Sequence, residues 1–368
     1  MKKISAVLFA FLIVLNLSVT TQALSAKAAV VINGDTGEIL FSRNANERLP
    51  MASTTKIMTA LLLCENADLN ETIVTTKEMV TVEGSSMGLG IGDTVSYHDL
   101  LYGMMLASGN DAANTTAIAI SGSLDEFVKL MNKKALELGL KDTHFETPSG
   151  LDGKEHYTTA YELALIAKCA LQNEDFAKAV SSKSATLCYG NPPYKRTLTN
   201  HNRLLKNYDD IIGVKTGFTK KSGRCLVTAS KKDGKFVIAV TLNDPNDWAD
   251  HRALLDLGLA SLQTVDITPE QTKIKIPVQN GNIEYIEAEI SSKRFSLKET
   301  DHLKAEISAP QFVYAPINKG DVIGKVYYYS SDNLIFSEDI TSPISVKQTK
   351  QNKISRIIKL FNFMLKNI

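Results

Sequence analysis

Hydrophobic and polar positions along the chain fall into three textures. Residues 28–33 (Ala-Ala-Val-Val-Ile-Asn) and 38–42 (Glu-Ile-Leu-Phe-Ser) are short β-prone runs flanking Gly34-Asp35-Thr36-Gly37, a pattern that predicts a hairpin. Helical periodicity then takes over at about 53–64, 98–107, 110–121, 123–139, 159–172 and 247–262. Strands return at 211–216, 224–231 and 235–243, the last two joined by Lys232-Asp233-Gly234. Two strands at the start and three near the end, with helices between, predict an α+β domain over 27–262. Its antiparallel five-stranded sheet is closed by both ends of the segment, flanked by helices and carries a helical insertion. From about 266 to 345 short β-type runs punctuated by Gly and Pro predict a separate, small all-β domain.

The two ends differ from this body. Lys2 and Lys3, an apolar run from Ala6 to Val19 and small residues from Ala23 to Ala29 read as a secretory signal over 1–26, with cleavage after Ala23, Ala26 or Ala28. Residues 347–368 read as an anchor. Over 353–368, Ile354, Ile357, Ile358, Phe361, Leu365 and Ile368 recur at helical spacing among Lys353, Arg356, Lys359 and Lys366. That segment is too short and too charged to span a bilayer, but a basic amphipathic helix can lie on an anionic membrane surface. The expected location is therefore the outer face of the cytoplasmic membrane.

Charge sharpens this division. Removing the two lysines of 1–23 and the six basic residues of 347–368 from the net charge of +1 leaves −7 for the body. An acidic body argues against nucleic acid as a partner, because phosphate binding needs a clustered basic face. With 44% hydrophobic and 22% charged residues over 368 positions, the composition is that of a folded chain with room for one large and one small domain. Cys64, Cys169, Cys188 and Cys225 have no zinc-type spacing, and Cys64 and Cys225 lie in apolar runs where cysteine acts as a small hydrophobe. No metal or other cofactor is expected.

Three triplets carry the candidate chemistry. Ser53-Thr54-Thr55-Lys56 opens the first helix, so Ser53 and Lys56 lie one turn apart, close enough for the amine to activate the hydroxyl. Lysine can act as that base where burial and a neighbouring cation lower its pKa. Ser108-Gly109-Asn110 falls between two helical runs, and Lys215-Thr216-Gly217 ends a strand. Alone, each is an ordinary cap, turn or strand end. Together, in this order and on these elements, they form the Ser-x-x-Lys, Ser-x-Asn and Lys-Thr-Gly set of penicillin-recognising serine enzymes.

On these motifs the chain resembles the low-molecular-mass penicillin-binding proteins of the D-alanyl-D-alanine carboxypeptidase family, serine peptidase family S11. Flanking residues agree: Ala52, Leu106-Ala107, Asp111-Ala112-Ala113, Pro148-Ser149-Gly150-Leu151, and Ala315 to Asp321 in the second domain. The resemblance implies a penicillin-binding/β-lactamase-like domain followed by a small β-sandwich and an amphipathic C-terminal helix. It implies hydrolysis of the terminal D-alanine from peptidoglycan stem peptides, with β-lactams as acylating inhibitors. It assigns Ser53 as nucleophile, Lys56 as proton acceptor, Ser108 as proton relay and Asn110 as a holder of the substrate amide and of Lys56. Lys215, Thr216 and Gly217 would bind the terminal carboxylate, and the backbone N–H groups of Ser53 and Phe218 would form the oxyanion hole. Phe218 stands where many relatives have His, and His201 where some have Arg.

Other functions fit less well. A DD-endopeptidase acting on cross-links would use the same residues. A class A β-lactamase needs a Glu-x-x-Leu-Asn element, which neither Glu146 nor Glu155 supplies. An inert muropeptide or β-lactam sensor would not need all three motifs. A Ser-His-Asp triad through His156 or His201, with Asp111 or Asp152, is redundant beside Lys56.

Overall fold

The computed structural model describes residues 24–297 and 302–349. The expected signal segment before residue 24 and the expected amphipathic helix over 353–368 lie outside the described residues.

Strands β1 (Ala28–Asn33) and β2 (Ile39–Arg43) form the first hairpin. Gly37 has φ +82° at its turn, where glycine's lack of Cβ removes the strain. Two short strands follow, β3 (Thr72–Val74) and β4 (Thr94–Ser96), then a second hairpin, β5 (Ser184–Gly190) and β6 (Pro193–Thr199). Three longer strands close the domain: β7 (Ile211–Thr219), β8 (Gly223–Lys232) and β9 (Lys235–Leu242). The main sheet has the order β2-β1-β9-β8-β7, antiparallel throughout, so the two ends of the domain meet where β1 pairs β9. This is the predicted five-stranded arrangement, and it leaves β7 as an edge strand.

Burial follows the two-residue period of the strands. Ala28, Val30 and Ile32 point into a core built with the helical insertion, whereas Ala29 and Val31 point into a second core under helix Asp247–Ala260. Helices cover both faces, so β1 is buried along its whole length and reads as a continuous apolar run. The insertion is centred on helix Lys56–Asn66, whose first eight residues are buried. Around it pack helices Tyr97–Leu106, Asn110–Ser121, Leu124–Glu137, Ala160–Ala170 and Glu174–Ser181. Caps set their starts: the side chains of Ser96, Ser123, Thr159 and Asn173 each accept a first-turn N–H.

The β5–β6 hairpin and helix Glu174–Ser181 were not predicted. β5 exposes four of seven residues or leaves them half-covered, and Pro192 and Pro193 interrupt the apolar pattern, so the periodic signal is weak.

The second domain spans Gln263–Thr341, and its described residues form eight strands distributed over three small sheets. Lys273–Gln279 alternates exposed and buried residues strictly, with Ile274, Ile276 and Val278 turned inward. These join Ile286, Phe295, Val326 and Tyr328 in a separate core. The domains meet where Ser296 donates its N–H and hydroxyl to Asp35 at 2.7 Å, and Asn33 Nδ2 donates to the Ser296 carbonyl at 2.6 Å. Ser25 and Ala26, inside the stretch read as signal, are built into the first domain. The Ser25 N–H donates to Asp250 at 2.7 Å, and Ala26 is fully buried.

Candidate active site

The site forms where the start of the central helix, the loop before helix Asn110–Ser121 and edge strand β7 converge. Ala52–Thr55 is a short 3-10 turn running directly into helix Lys56–Asn66, which aims the Ser53 and Lys56 side chains at each other. Lys56 Nζ donates to Ser53 Oγ at 3.0 Å, to Asn110 Oδ1 at 2.7 Å and to the Ser149 carbonyl at 2.6 Å. The lysine is fully buried. Desolvation, then the nearby Lys215 charge, holds its pKa well below the usual lysine range, against a smaller opposing pull from Asp111. All three acceptors are neutral oxygens, so no carboxylate bonds the amine and its neutral form is accessible.

Lys215 is the second buried amine. It donates to Ser108 Oγ at 3.0 Å and to the Thr216 carbonyl at 2.8 Å, and burial pushes its pKa down to about 7. Ser108 therefore sits beside the amine on β7, while Asn110, two residues on, bonds the other lysine. Ala52 and Ser108 have φ +50° and +58°, an unfavourable region for residues bearing Cβ. The fold holds this strain next to Ser53 and at Ser108 itself.

Gly217 shows why this strand can lie so close. A Cβ there would stand 3.0 Å from the Met51 carbonyl and 3.1 Å from the Ser53 and Thr54 nitrogens. Absence of a side chain thus lets β7 pass against the Ala52–Thr55 turn, bringing Phe218 and Ser53 to one cleft. That cleft, about 550 Å³, is lined by Ser53, Ser108, Thr216, Gly217 and Phe218 and extends towards His201, Arg203 and Arg224.

Sequence reasoning missed two supports. The loop over residues 83–89 is tied to the Ser-x-Asn element through Asp111, whose carboxylate accepts from Ser86 Oγ and from the N–H groups of Met87, Gly88 and Leu89 at 2.5–3.0 Å. Asn110 Nδ2 donates to the Glu83 carbonyl at 2.6 Å, leaving one amide hydrogen for substrate. The second support is Ser149, whose carbonyl fixes Lys56. Gly150, at φ +87°, lies so close to the Ala52–Thr55 turn that a Cβ would stand 2.0 Å from the Ala52 carbonyl. The Pro148-Ser149-Gly150-Leu151 run held a clue in its Pro-Gly punctuation, but its contact with residue 56 is long-range and has no local signal.

The histidines do not form a triad. His156 is buried, bonded to Thr55 Oγ1 at 2.8 Å and accepting the Glu146 N–H at 2.9 Å, and burial lowers its pKa to about 4. It braces the turn as a neutral ring. His201 lines the cleft, its pKa lowered by burial and then by Lys215 and Lys206. Asp152 instead accepts from Thr219 Oγ1, and Asp111 is committed to its loop. All four cysteines are free, with Cys225 buried and Cys188 exposed.

A serine facing a buried, pKa-depressed lysine, with a second lysine–serine pair across the cleft, defines a serine acyl-enzyme peptidase built on a penicillin-binding domain. Residues 16–246 match the D-alanyl-D-alanine carboxypeptidase family, peptidase S11, and residues 262–351 match the C-terminal domain of penicillin-binding protein 5. A D-alanyl-D-alanine carboxypeptidase of Bacillus subtilis, DacF, is 37% identical over 336 residues, covering 88% of this chain and 85% of the relative. Among solved structures, penicillin-binding protein 5 of Haemophilus influenzae superposes with a TM-score of 0.64 at 27% identity, covering 90% of this chain and 100% of that one. The Streptomyces K15 DD-transpeptidase gives 0.63 at 32%, covering 66% and 100%. The chain belongs to the D-alanyl-D-alanine carboxypeptidase family, peptidase S11.

Proposed function

We propose that Ser53 is the nucleophile with which this serine peptidase removes the terminal D-alanine from peptidoglycan stem peptides ending in D-Ala-D-Ala. The 3.0 Å contact of Ser53 Oγ with the buried Lys56 amine carries the reading. Neutral Lys56 takes the Ser53 proton as Oγ attacks the carbonyl carbon of the penultimate D-alanine. Oxygen charge in the tetrahedral intermediate falls to the N–H groups of Ser53 and Phe218. Ser108, bonded to Lys215, passes a proton to the departing amine as the C–N bond breaks, leaving an ester on Ser53 that water hydrolyses. Lys215 and Thr216 hold the terminal carboxylate of the substrate, and Asn110 keeps Lys56 in place. A β-lactam would acylate Ser53 by the same first step.

The test is D-alanine release from a soluble D-Ala-D-Ala pentapeptide by the wild-type protein and by Lys56→Met. Release that is lost with Lys56 supports the assignment, and equal release from both overturns it.

The cellular setting is part of the same proposal. The protein is exported, processed after Ala23 so that Ser25 and Ala26 remain with the catalytic domain, and held on the outer face of the membrane by residues 353–368. No helix among the described residues is long and apolar enough to cross a membrane. Full-length protein should sediment with vesicles containing phosphatidylglycerol, and protein ending at residue 349 should not. Equal sedimentation would overturn the anchor. The second domain then acts as a spacer, so deleting 266–345 should impair trimming of intact wall while sparing soluble peptide.

A further inference from the structure

The corner where the first domain closes holds a carboxylate pair that the catalytic steps above leave unused. Lys27 donates its N–H to the Asn243 carbonyl at 3.0 Å, and β1 follows in register with β9. Just before that seam, Ser25 meets Asp244, in the loop after β9, and Asp250, in the first turn of helix Asp247–Ala260. Ser25 Oγ lies 2.5 Å from Asp244 Oδ1 and 2.8 Å from Asp250 Oδ2, and the Ser25 N–H donates to the same Asp250 oxygen at 2.7 Å. Both aspartates are buried, Asp244 completely.

This pair is short of positive charge. One hydroxyl carries one proton, so Ser25 can satisfy only one of the two carboxylates at a time. Asp244 Oδ1 also accepts the Asn246 N–H at 3.1 Å, but Asp244 Oδ2 is buried without a hydrogen-bond partner among the described residues. The nearby Thr241 hydroxyl is paired with His251 Nε2 at 2.9 Å, and burial lowers the pKa of that ring to about 3, so it stays neutral. Cations on the adjoining elements are engaged elsewhere: Arg224 with Asp247, Arg252 with Asp210 and Asp256, and Arg43 with the Leu24 carbonyl. Burial, reinforced by the Asp250 charge, pushes the Asp244 carboxyl above the usual carboxylate range despite its bond from Ser25. Burying carboxylates without a counter-charge is costly, and two of them around one unpaired oxygen mark a place for a cation.

We infer that Asp244 and Asp250 form the binding site for the α-ammonium that leader removal creates at Leu24, so that processing completes the seam between β1 and β9. The inference rests on the proposed cleavage after Ala23. Leu24 is already held in place, its side chain packed on the second core and its carbonyl accepting from Arg43. Peptide geometry puts its nitrogen about 3.5 Å from the Ser25 nitrogen, so an ammonium there stands within roughly 6 Å of the Asp250 carboxylate. Ser25 is exposed, so the pair is open on that side and the ammonium keeps part of its hydration. Before processing, the same nitrogen is an uncharged amide. The closed sheet therefore gains this ion pair only after the leader is gone.

The experiment uses two proteins released from a fusion partner without added residues, one starting at Leu24 and one at Thr20, each as wild type, Asp244→Asn and Asp250→Asn. Reductive methylation with 13C-formaldehyde labels the α-amine, and NMR follows its titration beside thermal melting. The α-amine of the Leu24 protein should titrate about 1 unit above that of the Thr20 protein, the lower end of the effect of an opposite charge at this distance, because the site is partly hydrated. Each Asn variant should bring it back towards the ordinary range near 8. A raised amine pKa stabilises the fold fully below about 8 and loses that effect as pH rises through the raised value. At pH 7 the Leu24 protein should therefore melt about 2–4 °C above the Thr20 protein, a gap that closes in Asp250→Asn. Equal titration of the two wild-type proteins, or a raised value that survives in both Asn variants, would overturn the assignment, and the wild-type pair decides it even where an Asn variant does not fold. N-terminal sequencing of the exported protein tests processing separately: a start other than Leu24 would overturn that reading, and the inference with it.

Discussion

Gly217→Ala tests whether the closeness of β7 to the turn carrying Ser53 is what builds the proposed oxyanion site. The glycine lies outside the left-handed region, so alanine brings no backbone strain and the whole effect is contact. Its Cβ would stand 3.0 Å from the Met51 carbonyl and 3.1 Å from the Ser53 and Thr54 nitrogens. All three are backbone atoms in the turn carrying Ser53, so no side chain can rotate away. Relief requires the strand edge to withdraw by about 0.5 Å to reach an ordinary contact near 3.5 Å. Overpacking of this kind costs about 1–3 kcal/mol, which for a domain of this size lowers Tm by roughly 2–12 °C. Catalysis should suffer out of proportion, because a shift of about 1 Å costs on the order of 100-fold in rate, and half that shift about 10-fold. The assay is the second-order rate of Ser53 acylation by a fluorescent penicillin, followed beside thermal melting. Acylation within twofold of wild type in a folded protein would refute the claim that β7 must lie this close.

Lys56→Arg keeps a cation in the same burial but prevents neutralisation, so acylation should fall by about 100–10,000-fold, read by the same penicillin assay. The pH dependence of kcat/KM should be bell-shaped. In the proposed mechanism Lys56 works as the neutral amine, so activity should rise as pH increases through its lowered pKa. In the same mechanism Lys215 works as the cation, so activity should fall as pH passes about 7. Lys215→Arg should carry the descending limb well beyond pH 9, and a limb that stays in place would assign it to another group. The same lysine has a stability signature: its folded pKa lies below the unfolded value, so its ionisation opposes folding. That opposition is absent above the unfolded value near 10.5, grows as pH falls towards about 7 and is complete below it, a trend that melting at pH 6 and pH 9 can measure against Lys215→Met.

The sheet and most helices were legible because local patterns dictate them. Val30 and Ile32 alternate with Ala29 and Val31 across a sheet covered on both faces, and Asn110–Ser121 follows its helical repeat to the residue. The three motifs were legible as a set, and the structure brings their residues together as two hydrogen-bonded groups, Ser53–Lys56–Asn110 and Ser108–Lys215. The supports were hidden because they are long-range: Ser149 bonds Lys56 across 93 positions through a backbone carbonyl, and any residue type can supply a carbonyl.

The most direct test of the account is D-alanine release from a D-Ala-D-Ala pentapeptide by wild type and Ser53→Ala, with the mass of a penicillin adduct mapped by peptide digestion. The account predicts release by wild type alone and an adduct confined to the peptide containing Ser53. Release that survives in Ser53→Ala, or an adduct on another residue, would contradict it.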